Sequence, residues 1–214
     1  MAGIAMLGQT ASWAGEPDDL CAPFKNSSVD QSLVAMMLAA AEQGGLYRIQ
    51  SSTSSVGFCA HSAVGRIEAE FTAFQGGVSL LGASQAGYGQ ALVRVDVDSL
   101  STERSLLGHL LKSESFFDVE NFPEILFVST GLRWSSPSRG MLHGELTLRG
   151  VTRPVVFSVE LIGSDGAAVE HAEKVQVKAT ATVRPSEFGM QAVPKFADDA
   201  VDLCMRVDAV RYSS

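Results

Sequence analysis

The sequence predicts an all-β fold of antiparallel strands, either stacked as a sandwich or closed as a barrel. Three observations predict it. From about residue 46 nearly to the C-terminus, apolar residues alternate with polar ones, the period of a half-buried strand. Every alternating run keeps one polar face, which excludes a parallel α/β sheet, whose strands are buried on both sides. Gly- and Pro-bearing turns such as Gly163-Ser164-Asp165-Gly166 separate the runs.

Residues 1–20, uncharged until Glu16, read as the remnant of an export signal or as a disordered tail. Ser12 and Ala14 are small residues at the two positions a signal peptidase reads, but no basic stretch precedes them. Residues 21–45 read as a helical appendage packed on the main domain. Within 29–42, Leu33, Met36, Met37 and Ala40 form one apolar stripe, Ser28 or Asp30 can cap it, and Gly44-Gly45 stops it. The period then changes to two. Strands are expected over 54–61, 66–81, 91–100, 125–134, 142–148, 155–161, 174–183 and 201–210. In 91–100, Ala91, Val93, Val95 and Val97 oppose Arg94, Asp96 and Asp98. In 201–210, Val201, Leu203, Met205, Val207 and Ala209 oppose Asp202, Cys204, Arg206 and Asp208. One helical interruption is expected, over 102–117, ending on the adjacent rings Phe116 and Phe117. Pro123 then starts the next strand, where a missing N–H costs no ladder bond. A ten-residue strand spans about 33 Å. Eight such strands closed into a barrel leave an elongated interior with room for one ligand.

The 214 residues are 46% apolar and 19% charged, enough to bury a sizeable core, and the formal net charge is −8. No Lys/Arg cluster offers a surface to nucleic acid or an anionic membrane. No apolar run approaches the ~18 residues of a transmembrane helix. The four histidines, His61, His109, His143 and His171, never fall at metal-ligand spacing. No serine has the Gly-x-Ser-x-Gly elbow, Cys59 lies mid-strand, and the glycines of 76–82 lack a following lysine and helix, so neither a nucleophile nor a phosphate loop stands out. The sequon Asn26-Ser27-Ser28 is of a kind common by chance. The three cysteines, Cys21, Cys59 and Cys204, are too scattered for a zinc site. One disulfide with a free thiol fits a periplasmic or secreted protein; three buried thiols fit the cytoplasm.

Several blocks, in order, resemble one family. They are "YRIQ…SSVGFCAH" (47–61), "EFTAFQGGV" (70–78), "LLKSESFFDVENFPEILFVST" (110–130), "GELTLRGVTRPVVFSV" (144–159) and "RPSEFGM" (184–190). Together they are similar to the signature of the YceI-like family, bacterial lipocalin-like, polyisoprenoid-binding proteins. The resemblance runs from about Tyr47 to Tyr212. It implies an extended eight-stranded antiparallel lipocalin-like barrel over 46–214, with a short lid helix beside one end and the N-terminal helix as an extra. It also implies an apolar lumen for a long isoprenoid such as a quinone tail, export to the periplasm in many members, and no established catalytic residues. The chain departs from the family pattern at Gln50 and Thr53-Ser54, where Asp and His-Ser are usual. It departs again at 107–113, where a charged Arg-Asp pair and a histidine are missing and His109 stands one place early.

On this reading the lumen and its lid comprise Phe58, Phe71, Phe74, Val93, Val95, Leu110, Phe116, Phe117, Phe127, Leu146, Phe157, Phe188 and Met205. The small residues Ala91, Gly144, Ala179 and Ala181 leave room beside the rings. One ring of Phe116-Phe117 faces the lumen and the other packs outward under the helix. A few polar groups in mostly apolar walls are what a binding cavity needs. The expected function is therefore a non-catalytic carrier of a small apolar ligand, an isoprenoid lipid or quinone, with no required cofactor and no metal. The alternative is an enzyme acting on a lipid-like substrate in the same cavity, and a weaker one is an interaction module recruiting a partner through the N-terminal helix. A homodimer is compatible with the sequence. Cys59 and Cys204 fall on the polar parity of their strands, so the appendage is expected to cover them. In an exported protein Cys21 is expected to pair with one of them, with a Cys59–Cys204 bridge as the competing arrangement.

Overall fold

A computed structural model describes residues 35, 37, 45–62, 65–79, 90–164, 172–190 and 197–212. The strands are β1 (Leu46–Ile49), β2 (Ser55–Ser62), β3 (Gly65–Phe71), β4 (Phe74–Ser79), β5 (Gln90–Asp96) and β6 (Leu100–Ser101). After helix α1 (Ser105–Lys112) come β7 (Glu124–Ser136), β8 (Arg139–Leu148), β9 (Val151–Ser164), β10 (Lys174–Val183) and β11 (Ala197–Arg211). All pairings are antiparallel. The order β1-β4-β5-β7-β8-β9-β10-β11 closes through β11–β1, giving an eight-stranded up-and-down barrel. Closure pairs each of these eight strands on both sides, while β3 beyond the ring pairs β2 along its length and β6 only at Glu70 and Phe71.

The first two barrel strands are long and bent. β1 and β2 form one of them, β4 and β3 the other, and β11 pairs first with β2 and then with β1. The single strand expected over 66–81 is broken at Thr72-Ala73, where Thr72 N–H donates to Ser99 O at 3.3 Å and Asp96 N–H to Ala73 O at 3.0 Å. The break shifts the side-chain parity, and that is how Phe71 and Phe74, three residues apart, both reach the core. The bend between β1 and β2 is tied to β11: Gln50 N–H donates to Asp208 O at 2.8 Å, and Ser54 Oγ accepts from Asp208 N–H at 2.9 Å. These two bonds hold the wall together at the bend that carries Gln50 and Thr53, where the chain departs from the family pattern.

Helical structure is shorter and more divided than expected. α1 covers Ser105–Lys112, and Phe116 and Phe117 lie beyond it in turns whose N–H groups donate to Ser113 O and Leu111 O. 3-10 turns also occur at Val97–Ser99, where the Asp96 side chain accepts from Asp98 N–H, and at Pro185–Phe188. β8 and β9 are joined by Arg149-Gly150, both with positive φ (50° and 70°), the two-residue turn that matches strand twist.

Of the expected N-terminal helix, only Ala35 and Met37 fall among the described residues. Both are helical, and Met37 is 2% exposed. The remainder of that helix, Cys21 and His171 lie outside the described residues.

Candidate functional site

The inward faces of the barrel enclose a cavity of about 220 Å³. Its wall is apolar except for the edges, where Gln90 and Asp199 contribute. The Asp199 carboxylate already accepts from Ser186 N–H at 3.1 Å and from the Ser186 hydroxyl. Among the described residues no group of three or more His, Cys, Asp or Glu side chains could hold a metal ion, and no helix is long and apolar enough to cross a membrane.

Two ends close the cavity differently. At one end Tyr47, wholly buried, donates from Oη to Ala172 O at 2.9 Å. Arg211 donates from Nη2 to Tyr47 Oη and to Ala172 O, both at 2.9 Å, and its guanidinium lies 5.2 Å from the centre of the Tyr47 ring. These groups satisfy one another, so this end is a hydrogen-bonded plug. At the other end the closure is aromatic. Phe117 packs at 5.8 Å from both Phe58 and Phe71, edge-on to Phe71, and Phe58 stands 6.2 Å from Phe71. Aromatic contacts of this kind part without leaving polar groups unpaired.

The lid segment is pinned by Arg149. Its Nη1 donates to Gly189 O at 2.7 Å, its Nη2 lies 3.7 Å from Asp118 Oδ2, and its guanidinium lies 5.9 Å from the centre of the Phe122 ring. Asp118 is held at φ 52° and accepts from Asn121 Nδ2 at 2.9 Å. One side chain thus links the lid, the β8–β9 turn and the turn after Phe188.

Most of the residues expected to line the lumen do so: Phe58, Phe71, Val93, Val95, Phe116, Phe117, Phe127, Leu146, Phe157 and Met205. Three do not. Phe74 and Phe188 are buried in the core away from the cavity, and Leu110 is 41% exposed on the outer side of α1, where Leu111 turns inward instead. The two lid rings do not divide between lumen and exterior. Both are buried and both face the cavity, because the turns after α1 replace the helical spacing that would have parted them. Gly144 does not open space. A Cβ there would lie 2.4 Å from the Phe127 ring, so the ring occupies the place of the missing side chain, edge-on to Phe157 at 5.1 Å.

Leu132 and Trp134 also line the wall, on the opposite parity to Phe127. The β7–β8 register shifts between Ser129 and Gly131, and a bulge there turns the later residues inward. At that irregularity the buried Ser129 Oγ accepts from Ala91 N–H at 2.6 Å. The run Ser129-Thr130-Gly131 inside an otherwise apolar strand was the available signal.

The appendage expected to cover the two barrel cysteines lies almost wholly outside the described residues. Cys59 is half-buried, Cys204 is exposed, and both are free thiols.

A closed antiparallel barrel around a capped apolar lumen defines a lipocalin-like binding-protein architecture. Residues 47–209 match the YceI-like domain, and the chain belongs to that family. It is 33% identical over 101 residues to a UPF0312 protein of Pseudomonas putida (strain W619), covering 47% of this chain and 52% of the relative. It is 30% identical over 122 residues to a UPF0312 protein of Enterobacter sp. (strain 638), covering 57% and 62%. The match thus spans about half the length of the first of these relatives. In fold, the chain is similar to Burkholderia cenocepacia BcnA (TM-score 0.67, 18% identity, 76% of this chain and 99% of the other). It is also similar to a polyisoprenoid binding domain from Saccharophagus degradans implicated in plant cell wall breakdown (TM-score 0.55, 12% identity, 77% and 98%).

Proposed function

We propose that this protein is a non-catalytic carrier that holds a polyisoprenoid or a similar long apolar molecule, such as a quinone tail, in the barrel lumen. The observation that carries the reading lies on β11. Its inward residues Val201, Leu203, Met205 and Val207 are all apolar yet only half-buried, because they face a cavity and not a packed core. Each methylene brought into such a lumen contributes about 0.8 kcal/mol, so a long chain needs no specific polar contact. Among the described residues the wall offers no paired acid and base, which favours carriage over turnover. The similar fold of the Saccharophagus degradans domain supports the same ligand class.

The proposed setting is the periplasm, with residues 21–45 packed on the outer wall. Leu46 and Leu92 support that packing: each is 1% exposed although it lies on the opposite parity to cavity-lining Ile49, or to Ala91 and Val93, and so points outward. Organic extraction of purified protein followed by mass spectrometry tests the ligand. A co-purifying prenyl chain is expected. A ligand-free protein that hydrolyses or isomerises an added lipid ester contradicts the reading.

A further inference from the structure

The outer wall carries two thiols where the barrel closes, at the seam of its first and last strands. On the β2–β11 ladder Cys59 stands opposite Asp202, and Cys204 opposite Gly57. The cysteines are therefore diagonal neighbours on one face, and the residue across from Cys204 has no side chain to separate them. Arg66, on β3, donates from Nη2 to Cys59 Sγ at 3.2 Å. Its Nε also lies 2.6 Å from Glu68 Oε1, which holds the guanidinium in place. The two thiols are thus unlike: Cys59 has a cationic donor on its sulfur, while burial and then the neighbouring Cys59 push the Cys204 thiol up.

We propose that Cys59 and Cys204 form a reversible dithiol site for small disulfides of the glutathione class, with Cys59 attacking and Cys204 resolving. In the first step the Cys59 thiolate attacks one sulfur of the small disulfide. The S–S bond breaks, and one glutathione leaves as a thiolate that takes up a proton. In the second step Cys204, giving up its proton, attacks the Cys59 sulfur and releases the other glutathione. The protein pair loses two electrons, and one disulfide becomes two thiols. Arg66 stabilises the charge on Cys59 at the start of the first step. Diagonal neighbours stand about 7–8 Å apart, at or just past the roughly 7 Å that a disulfide spans without backbone movement, so closing the bond strains the ladder, the strained bond is easily reduced, and the site cycles. The assignment is independent of what the lumen holds.

The test treats reduced full-length protein with glutathione disulfide and maps thiols by non-reducing peptide mass spectrometry. A Cys59–Cys204 bridge that dithiothreitol reverses is expected. Cys204→Ser should stop at a Cys59–glutathione adduct, and Arg66→Gln should slow the first step about threefold, because the cationic donor 3.2 Å from the attacking sulfur is lost. A bridge from Cys21 to either thiol, or two unreacted thiols, overturns the proposal. So does accumulation of the adduct on Cys204 in place of Cys59, or an unchanged rate in Arg66→Gln.

Discussion

Replacing Arg149 with Met keeps most of the aliphatic stem and removes the charge that ties the lid down. The loss has three parts: the donor to Gly189 O at 2.7 Å, the partner of Asp118 at 3.7 Å, and the cation 5.9 Å from the Phe122 ring centre. The side chains of Arg149 and Asp118 are only 15% and 10% exposed, so solvent screens the pair weakly. A charged hydrogen bond contributes about 1.5–3 kcal/mol, and removing one partner of a buried pair costs about 3–5 kcal/mol. The 3.7 Å separation and the second partner of Asp118, Asn121, place the expected cost at the lower end, about 2–3 kcal/mol. For a chain of this size that lowers Tm by roughly 5–10 °C. Urea unfolding of Arg149→Met, Asp118→Asn and the double variant should give a coupling energy of about 1 kcal/mol with unchanged m-values. A single-variant loss below about 0.5 kcal/mol, the range of an ordinary surface substitution, would refute the latch.

Gly144→Ala drives a methyl into the Phe127 ring and should destabilise by about 1–3 kcal/mol, read by urea unfolding; a neutral result means that the ring moves freely. Phe117→Ala should release a bound fluorescent prenyl probe faster, and Phe116→Ala likewise, since both rings face the cavity; unchanged release in both variants removes the lid role. Tyr47→Phe takes a donor from the buried plug and leaves Arg211 short of an acceptor, at a cost of about 1–3 kcal/mol in thermal or urea unfolding. Phe157→Asp should abolish probe binding, because an unpaired carboxylate in an apolar cavity costs several kcal/mol; retained binding would place the ligand elsewhere.

The inward rows of β5 and β11 were legible from alternation alone, because no register shift disturbs the count from Val93 to Val95 or from Val201 to Val207. Parity failed where the backbone departs from a regular ladder. The break at Thr72-Ala73 and the bulge near Thr130 each reset which face a residue takes, and Leu132 and Trp134 were hidden for that reason. The double phenylalanine was legible as a closing element but not in its geometry. Helical spacing separates two adjacent rings, whereas the turns after Lys112 bring both onto the cavity. The latch was invisible for a different reason: Arg149, Asp118 and Gly189 are far apart in sequence, and only closure of the barrel brings them together. Small residues misled in one place, since Gly144 accommodates a ring where the composition suggested free space.

Chain length tests the central claim most directly. Titration with prenyl alcohols of increasing length, repeated with one quinone head group, separates an apolar lumen from a head-group site. Five added carbons at about 0.8 kcal/mol each set an upper limit near 4 kcal/mol per isoprene unit, and lost rotamer freedom brings the expected gain closer to about tenfold in Kd. A lumen carrier predicts affinity that rises with each unit until the cavity is full, then levels off, with little change on swapping the head group. Affinity that ignores length and follows the head group would contradict the account.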